Sequence, residues 1–477
     1  MLLRTSWLFV YASKFVRTDA KGDINTTLSE LKTVKYRDEI SYSTKFRTIT
    51  SNQNHRSYDI MEMKIRKNRL KTLMMLIAVT AVITGCQSGK PEEKESGTTF
   101  AKDALTPFVQ SGQLPGAINV FYKDGIQETA CVGYADVAAK RPITMDDVFM
   151  QCSQTKGFCG VTIAMLVEEG KISLDDPVSK YLPEFKELWV LASNKDGVKT
   201  LVRAKNPLTI RMVMNHTGGF PFEISAKQGN IKGGGWSGGA PLRQTAAIAA
   251  ASPLLFEPGT KTQYSNTGID IGAAIVEVVT GQRWEDFLQE RVLTPLGMKS
   301  SSFRPSDQAL ETQIEMYDCV KDAPAKYRLQ NDMQQRPYND SHVFASAGAG
   351  LWTTANDQLK FYKMLMNLGV GENGVRILKE ETVKELLAKS TRPKGMGGYS
   401  LGLSAPEEDK EDSWFGHGGA WGTNCMVNWH RKELKLWVVQ LCGNPRPWDA
   451  ARSEAEKKFF KYVIDNTDAN AYTGRTK

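Results

Sequence analysis

The sequence predicts an α+β protein: one antiparallel sheet assembled from both ends of the chain, helices on its faces, and a mostly helical insertion packed beside it. Three observations carry the prediction. Period-two apolar runs stand at Ala117 to Lys123 and Glu128 to Tyr134. The same period returns near the C-terminus, at Trp414 to Gly416, Asn424 to His430 and Lys435 to Leu441. Between the two groups the spacing is helical, so the strands of one end must find their partners at the other.

In order along the chain, Phe100 to Ser111 opens the folded part as a helix, and Asp124 with Gly125 between the first two runs is a hairpin turn. Phe158, Val161, Met165 and Leu166 then form the i, i+3, i+7, i+8 stripe of a buried helix that starts at Ser153 and ends near Gly170, a C-cap glycine. Helical patterns come next at Thr209 to Asn215, Arg243 to Ala251, Gly268 to Val279, Trp284 to Val292, Ala355 to Leu368 and Glu380 to Lys389. Ala450 to Val463 closes the fold as an amphipathic helix. Asn194 to Lys205, Lys227 to Gly239 and Asp318 to Tyr338 read as loops without a legible path.

Of 477 residues, 41% are hydrophobic, enough for a sizeable core. The formal charge of +8 suggests nucleic acid until it is located. Residues 1 to 85 hold 15 Lys+Arg and 7 Asp+Glu, which leaves 46 of each sign in the remainder. A neutral body gives no phosphate-binding footprint, so no nucleic-acid partner is expected. The basic leader has its own reading. Met63 to Lys71 is a cationic n-region and Leu73 to Ile83 an apolar run too short for a stable membrane span.

Ser153, Gln154, Thr155 and Lys156 set a hydroxyl and an amine three residues apart, on one side of a helix start. A serine attacks a carbonyl only when a neighbour takes its proton, and a lysine of depressed pKa can do so without a histidine. A second S-x-x-K, Ser29 to Lys32, lies in a polar stretch with no apolar stripe. Tyr264 is followed two positions on by Asn266, after the turn Phe256 to Gly259 and before the Gly268 helix. His417, Gly418, Gly419 and Ala420 stand between strand-like runs, where glycines admit a substrate or another backbone. Gly235 to Gly239 spells G-x-S-x-G around Ser237, but no buried strand precedes it, so the α/β-hydrolase elbow is set aside. No H-E-x-x-H and no paired-cysteine spacing occurs, and neither a metal nor an organic cofactor is expected.

From about residue 100 to 465 the chain resembles the penicillin-binding, class C β-lactamase-like serine hydrolases. The likeness rests on Ser153 to Lys156, LVEEGKISLDDPVSKYL from Leu166, NHTGGF from Asn215, FEPGTKTQYSNTG from Phe256, AGAGLWTTAND from Ala347, and His417 to Ala420. It implies a β-lactamase/transpeptidase-like fold and hydrolysis of an ester or amide through an acyl-enzyme on Ser153. Lys156 would help remove the serine proton, and Tyr264 would share the general-base role if positive charge lowered its pKa. Asn266 would bond Lys156 and the substrate amide, and the backbone N–H groups of Ser153 and Ala420 would form the oxyanion hole.

The third motif departs from the β-lactamase pattern, since His417, Gly418 and Gly419 replace Lys, then Ser or Thr, then Gly. The hydroxyl for a β-lactam or peptide carboxylate is missing. His417 resembles the histidine of peptidase and esterase branches, a source of a proton or a positive charge. Alternatives are therefore a D-Ala-D-Ala carboxypeptidase or D-stereospecific peptidase, a weak β-lactamase, or a cell-wall peptide binder without turnover. His216 is expected to order its loop, Cys152 to pack, and Trp421 either to pack or to line the acyl pocket.

Ile83 to Cys86 resembles a bacterial lipobox, which implies cleavage before Cys86, its lipidation, and a membrane-anchored place in the cell envelope. The expected segments are a non-native or disordered extension at 1–62, a signal peptide at 63–85 and a tether at 86–99. The hydrolase domain spans 100–466, with the helical subdomain at roughly 175–395 and a tail at 467–477. The remaining cysteines are expected as free thiols. The protein is expected to work as a monomer on a small-molecule or peptide substrate.

Overall fold

The computed structural model describes residues 94–224, 240–320, 344–443 and 446–473, with the backbone of the short strands Arg17–Thr18, Ile24–Asn25 and Tyr327–Leu329. The chain divides into Met1–Gly89 and Lys90–Lys477. In the first unit, Arg17–Thr18 and Ile24–Asn25 pair antiparallel. The signal peptide, Cys86, Ser29 to Lys32, Ser237 and the Lys227 to Gly239 loop lie outside the described residues.

The second unit holds a seven-stranded sheet made, as the periodicity predicts, from both ends of the chain. Its strands are β1 (Lys94–Glu95), β2 (Gly116–Lys123), β3 (Ile126–Asp136), β4 (Arg141–Pro142), β5 (Phe415–Gly419), β6 (Thr423–Asn428) and β7 (Glu433–Val438). They lie in the order β5-β6-β7-β2-β3-β1, with β4 also on β3. The join between the two ends is antiparallel β7 on β2, with Leu436 opposite Val120.

Five helices matter for the site: α1 (Phe100–Gln110), α2 (Thr155–Glu168), α3 (Asn266–Thr280), α4 (Ala355–Met366) and α5 (Trp448–Thr473). Alternation along β2 feeds two cores. Phe121 packs on one face with Ala101, Phe459 and Val463 of α1 and α5. Ile118 and Val120 point the other way, into the large core with Phe158, Ile269 and Phe361 of α2, α3 and α4. Residues 155 to 166 of α2 are all buried, so this helix is enclosed rather than amphipathic.

Three boundaries differ from the sequence reading. The end of the tether belongs to the fold: Lys94–Glu95 pairs parallel with β3, and the buried Glu128 carboxylate accepts from the Ala101 N–H at 2.6 Å and from the Thr98 hydroxyl. That carboxylate answers the unpaired donors at the N-terminus of α1. The tail is not separate either, because α5 runs to Thr473 with no glycine or proline before Gly474 to stop it. The insertion is also less helical than expected. Trp189–Lys195 and Val198–Arg203 form an antiparallel hairpin, turned by Asp196 and Gly197, both at positive φ. In the third loop, Tyr317–Cys319 pairs parallel with Leu441–Cys442.

Candidate active site

Ser153 sits on a clamped turn. Strand Phe149–Met150, held by Trp352–Thr353, leads into a single 3-10 turn, Cys152–Gln154, and only then does α2 begin. Ser153 is therefore just outside the α-helix and half-buried, while its neighbours on both sides are enclosed. Cys152 takes φ +53°, a costly conformation for a side-chain-bearing residue, and the surroundings fix it. The Thr155 hydroxyl donates to Cys152 O at 2.7 Å and the Thr423 hydroxyl to Gln151 O at 3.1 Å. Burial pushes the Cys152 thiol up to about 12, which disfavours a reactive thiolate, and the side chain packs with Met150, Trp352 and Trp421.

Lys156, one turn on, is fully buried. Its Nζ reaches Ser153 Oγ at 3.1 Å, Asn266 Oδ1 at 2.6 Å and Gly348 O at 2.7 Å. Burial lowers its pKa to about 7 against the pull of Asp270. Asn266 opens α3, and the Ser265 hydroxyl accepts from the Gly268 N–H as the N-cap of that helix. The Asn266 amide nitrogen donates to Glu223 Oε1 at 2.9 Å, so part of the donor capacity expected for a substrate amide is already in use.

Tyr264 lies beside the pair, its ring centroid 4.6 Å from Lys156 Nζ. The lowering that a base role would require is opposed here: burial pushes the phenol up, and a side-chain hydrogen bond with Ser153 offsets this only in part. The phenol is thus a proton carrier at neutral pH rather than a standing phenolate.

His417 on β5 is enclosed. Burial, then the charge of Lys156, hold its pKa down to about 3, which opposes the positive charge expected of it. Its Nδ1 lies against Gly418 O, and its Nε2 is 2.9 Å from the Tyr399 hydroxyl and 3.5 Å from that of Tyr264. A neutral ring donating from Nδ1 and accepting from Tyr399 at Nε2 satisfies these contacts. His216 packs its ring 4.6 Å from Tyr264 and 4.5 Å from Tyr399, between centroids, and accepts from the Ser265 N–H at 3.3 Å. It supports the tyrosines, in keeping with a loop-ordering role.

The glycine strand runs directly past the nucleophile turn. A Cβ on Gly419 would overlap the Thr423 hydroxyl and Gln151 O and come 3.3 Å from Cys152 Cβ, so only glycine lets the strand approach. Ala420 follows at the exposed end, and Trp421, at φ +56°, packs against Met150, Cys152 and Trp352. Residues far apart in sequence, Ser153, Lys156, Tyr264, Asn266 and His417, thus share one crevice.

Four participants escaped the sequence reading: Gly348, Asp270, Glu223 and Tyr399. Gly348 lay within the AGAGLWTTAND segment without a role, and the other three carried no motif.

Known proteins resemble this chain in sequence and share its fold. Protein Rv1367c of Mycobacterium tuberculosis is 29% identical over 356 residues, 70% of this chain and 87% of that protein. Esterase EstB of Burkholderia gladioli is 29% identical over 270 residues, 52% of this chain and 64% of that protein. The solved structure of EstCE1, described as a hydrolase with promiscuous acyltransferase activity, shares the fold with a TM-score of 0.61 at 21% identity, over 75% of this chain and 97% of that one. A profile of the Beta-lactamase family matches residues 101–445. With the matched segment spanning most of the sequence and the serine-lysine-tyrosine crevice inside it, the chain belongs to the Beta-lactamase family and is a serine hydrolase.

Proposed function

We propose that this protein cleaves uncharged esters through an acyl-enzyme on Ser153, with Lys156 as the base. One observation carries the reading. Of the three partners of Lys156 Nζ, the Gly348 carbonyl and Asn266 Oδ1 only accept. A neutral amine gives its two hydrogens to those, and its lone pair is left facing the Ser153 hydroxyl at 3.1 Å.

In acylation, Ser153 Oγ bonds to the substrate carbonyl carbon while its proton passes to Nζ, and the carbonyl electron pair moves onto oxygen. The N–H groups of Ser153 and Ala420 receive that oxyanion, a contribution typically worth about 10²–10³ in rate per donor. The leaving alkoxide departs with a proton delivered through the Tyr264 hydroxyl and replaced from the Lys156 ammonium. Water oxygen then bonds to the acyl carbon while Lys156 takes its proton, and the bond to Ser153 Oγ breaks with that proton returned to Oγ, releasing the acid.

The chemistry of the third motif favours an ester without a carboxylate. Gly418 offers no hydroxyl, His417 is held neutral, and Glu223 at Asn266 is itself an acceptor. A D-Ala-D-Ala terminus or a β-lactam brings an anion to these groups. EstB, with its esterase name, supports the same reading. The test compares a short-chain nitrophenyl ester, a D-Ala-D-Ala peptide and a chromogenic β-lactam on the wild type and Ser153→Ala. Ester turnover lost in the variant supports the proposal; preferential peptide cleavage, or stoichiometric peptide binding without turnover, replaces it. The lipobox-like leader supports a further proposal, that the protein is anchored in the cell envelope through Cys86.

A further inference from the structure

Asp270 lies one turn along α3 from Asn266, and both side chains reach the same loop. Its Oδ1 accepts from the Gly348 N–H at 3.1 Å and from the Ser346 hydroxyl at 3.2 Å. The carbonyl of that same Gly348 accepts from Lys156 Nζ at 2.7 Å. Gly348 is in turn pressed onto Asn266, where a Cβ would fall 2.8 Å from Asn266 Cβ. Residues 266, 270, 346 and 348 thus form one buried frame around the amine, and Asp270 is the acidic side chain in it.

The geometry points to Asp270 as the positioning residue of the base: it fixes the Gly348 carbonyl that takes one Nζ hydrogen, and its carboxylate balances the ammonium formed when Nζ takes the Ser153 proton. This rests on the reading of Lys156 as base. The need for such a group is physical, because an ammonium created in an enclosed site without a counter-charge is strongly disfavoured. Burial raises the Asp270 carboxyl to about 7, against the hydrogen bond from Gly348 and the charge of Lys156. The acid and the amine therefore each favour the charged form of the other.

Among the described residues, the groups around the pair leave Asp270 as the leading charge acting on Lys156, after burial itself. Cys152 and Cys159, on the nucleophile segment, are held as thiols by burial. Tyr264 is held protonated and His417 neutral, also by burial. Glu223 also acts on Lys156, but its side chain is exposed, where water and salt screen it.

The test is the pH profile of ester kcat/KM, and of Ser153 labelling by a fluorophosphonate, for wild type, Asp270→Asn, Asp270→Glu and Ser346→Ala. Asparagine keeps an acceptor for Gly348 and removes the charge. The acid limb of Asp270→Asn should move to lower pH by about one unit, with the plateau about three- to tenfold lower as the base weakens. Asp270→Glu should keep the limb near its wild-type position. A purely structural role would lower the whole profile without moving the limb, and that result overturns the proposal. If Asp270→Asn does not fold, Ser346→Ala, which weakens the carboxylate's hydrogen bonding, should shift the limb the same way by a smaller amount. An unmoved limb there is equally fatal. Labelling needs no turnover, so the profile can be read whatever the natural ester is. Persistence of the adduct in Ser153→Ala would instead overturn the underlying assignment of the nucleophile.

Discussion

Lys156 carries its Nζ 4.6 Å from the ring centroid of Tyr264, so the proposed base stands over the face of the phenol. Two effects compete there. The ring favours an ammonium by about 2 kcal/mol or somewhat more when desolvated, whereas full burial of a lysine disfavours it by up to about 4–7 kcal/mol. Burial wins, and the amine titrates at about 7. Since the base acts in its neutral form, ester kcat/KM should be low at acid pH and rise with pH through about 7. Lys156→Ala should lose the acid limb together with about 10²–10⁴ of the rate. A profile flat from pH 5 to 9 in the wild type would remove Lys156 from the role.

Gly348 is pressed onto Asn266 beside the Lys156 amine. A methyl group at 348 would lie 2.8 to 2.9 Å from Asn266 Cβ, Cγ and Oδ1, and one side must give way. Gly348→Ala should therefore push Asn266 off Lys156, costing about 1–3 kcal/mol of stability and about 10²-fold in kcat. Urea denaturation with ester kinetics on the same preparation checks both. An alanine variant with wild-type kcat would mean that the asparagine contact is idle.

Much of this site was legible because its parts are local patterns. Ser153 and Lys156 are one turn apart, Tyr264 and Asn266 two residues apart, and His417 leads a glycine pair, so short windows of sequence reveal them. The frame behind them is not of that kind. Gly348 contributes a carbonyl that every residue possesses, and its glycine requirement comes from Asn266, distant in sequence. Asp270 and Tyr399 act through partners that only the fold assembles. The sheet was readable from alternation at both ends, but the hairpin at 189–203 was missed because its second strand is exposed throughout and lacks a buried face. Asp196-Gly197 is the same turn signal as Asp124-Gly125, at matching positive φ, and could have exposed it.

Tyr399 donates to His417 Nε2 at 2.9 Å in an enclosed position, while the Tyr264 hydroxyl stands 3.5 Å from the same nitrogen. The first bond occupies the imidazole and leaves the second hydroxyl to Ser153. Tyr399→Phe would leave Nε2 a buried acceptor whose remaining neighbour is Tyr264. Stability should fall by about 1–3 kcal/mol, and Tyr264 should be drawn toward the histidine, lowering kcat with little change in KM. A variant that loses stability but keeps kcat would show that the pair only packs.

The proposed anchor rests on the length of the apolar run and on the residues at its C-terminal end. Leu73 to Ile83 is 11 residues, about 16 Å as a helix, roughly half of the ~30 Å hydrocarbon core. That length suits a signal h-region better than a permanent span, and the proposal puts the cut between Gly85 and Cys86. One acyl chain holds a protein to a membrane only weakly, so stable anchoring needs the two chains of a diacylated cysteine. Intact mass of the protein extracted from bacterial membranes should correspond to a chain beginning at Cys86 plus a diacylglyceryl group. Cys86→Ser should lack that added mass and keep the ester activity of the folded domain, whose crevice begins far downstream. A membrane-extracted wild-type chain starting before residue 86, or bearing no lipid, would remove the anchor while leaving the hydrolase intact.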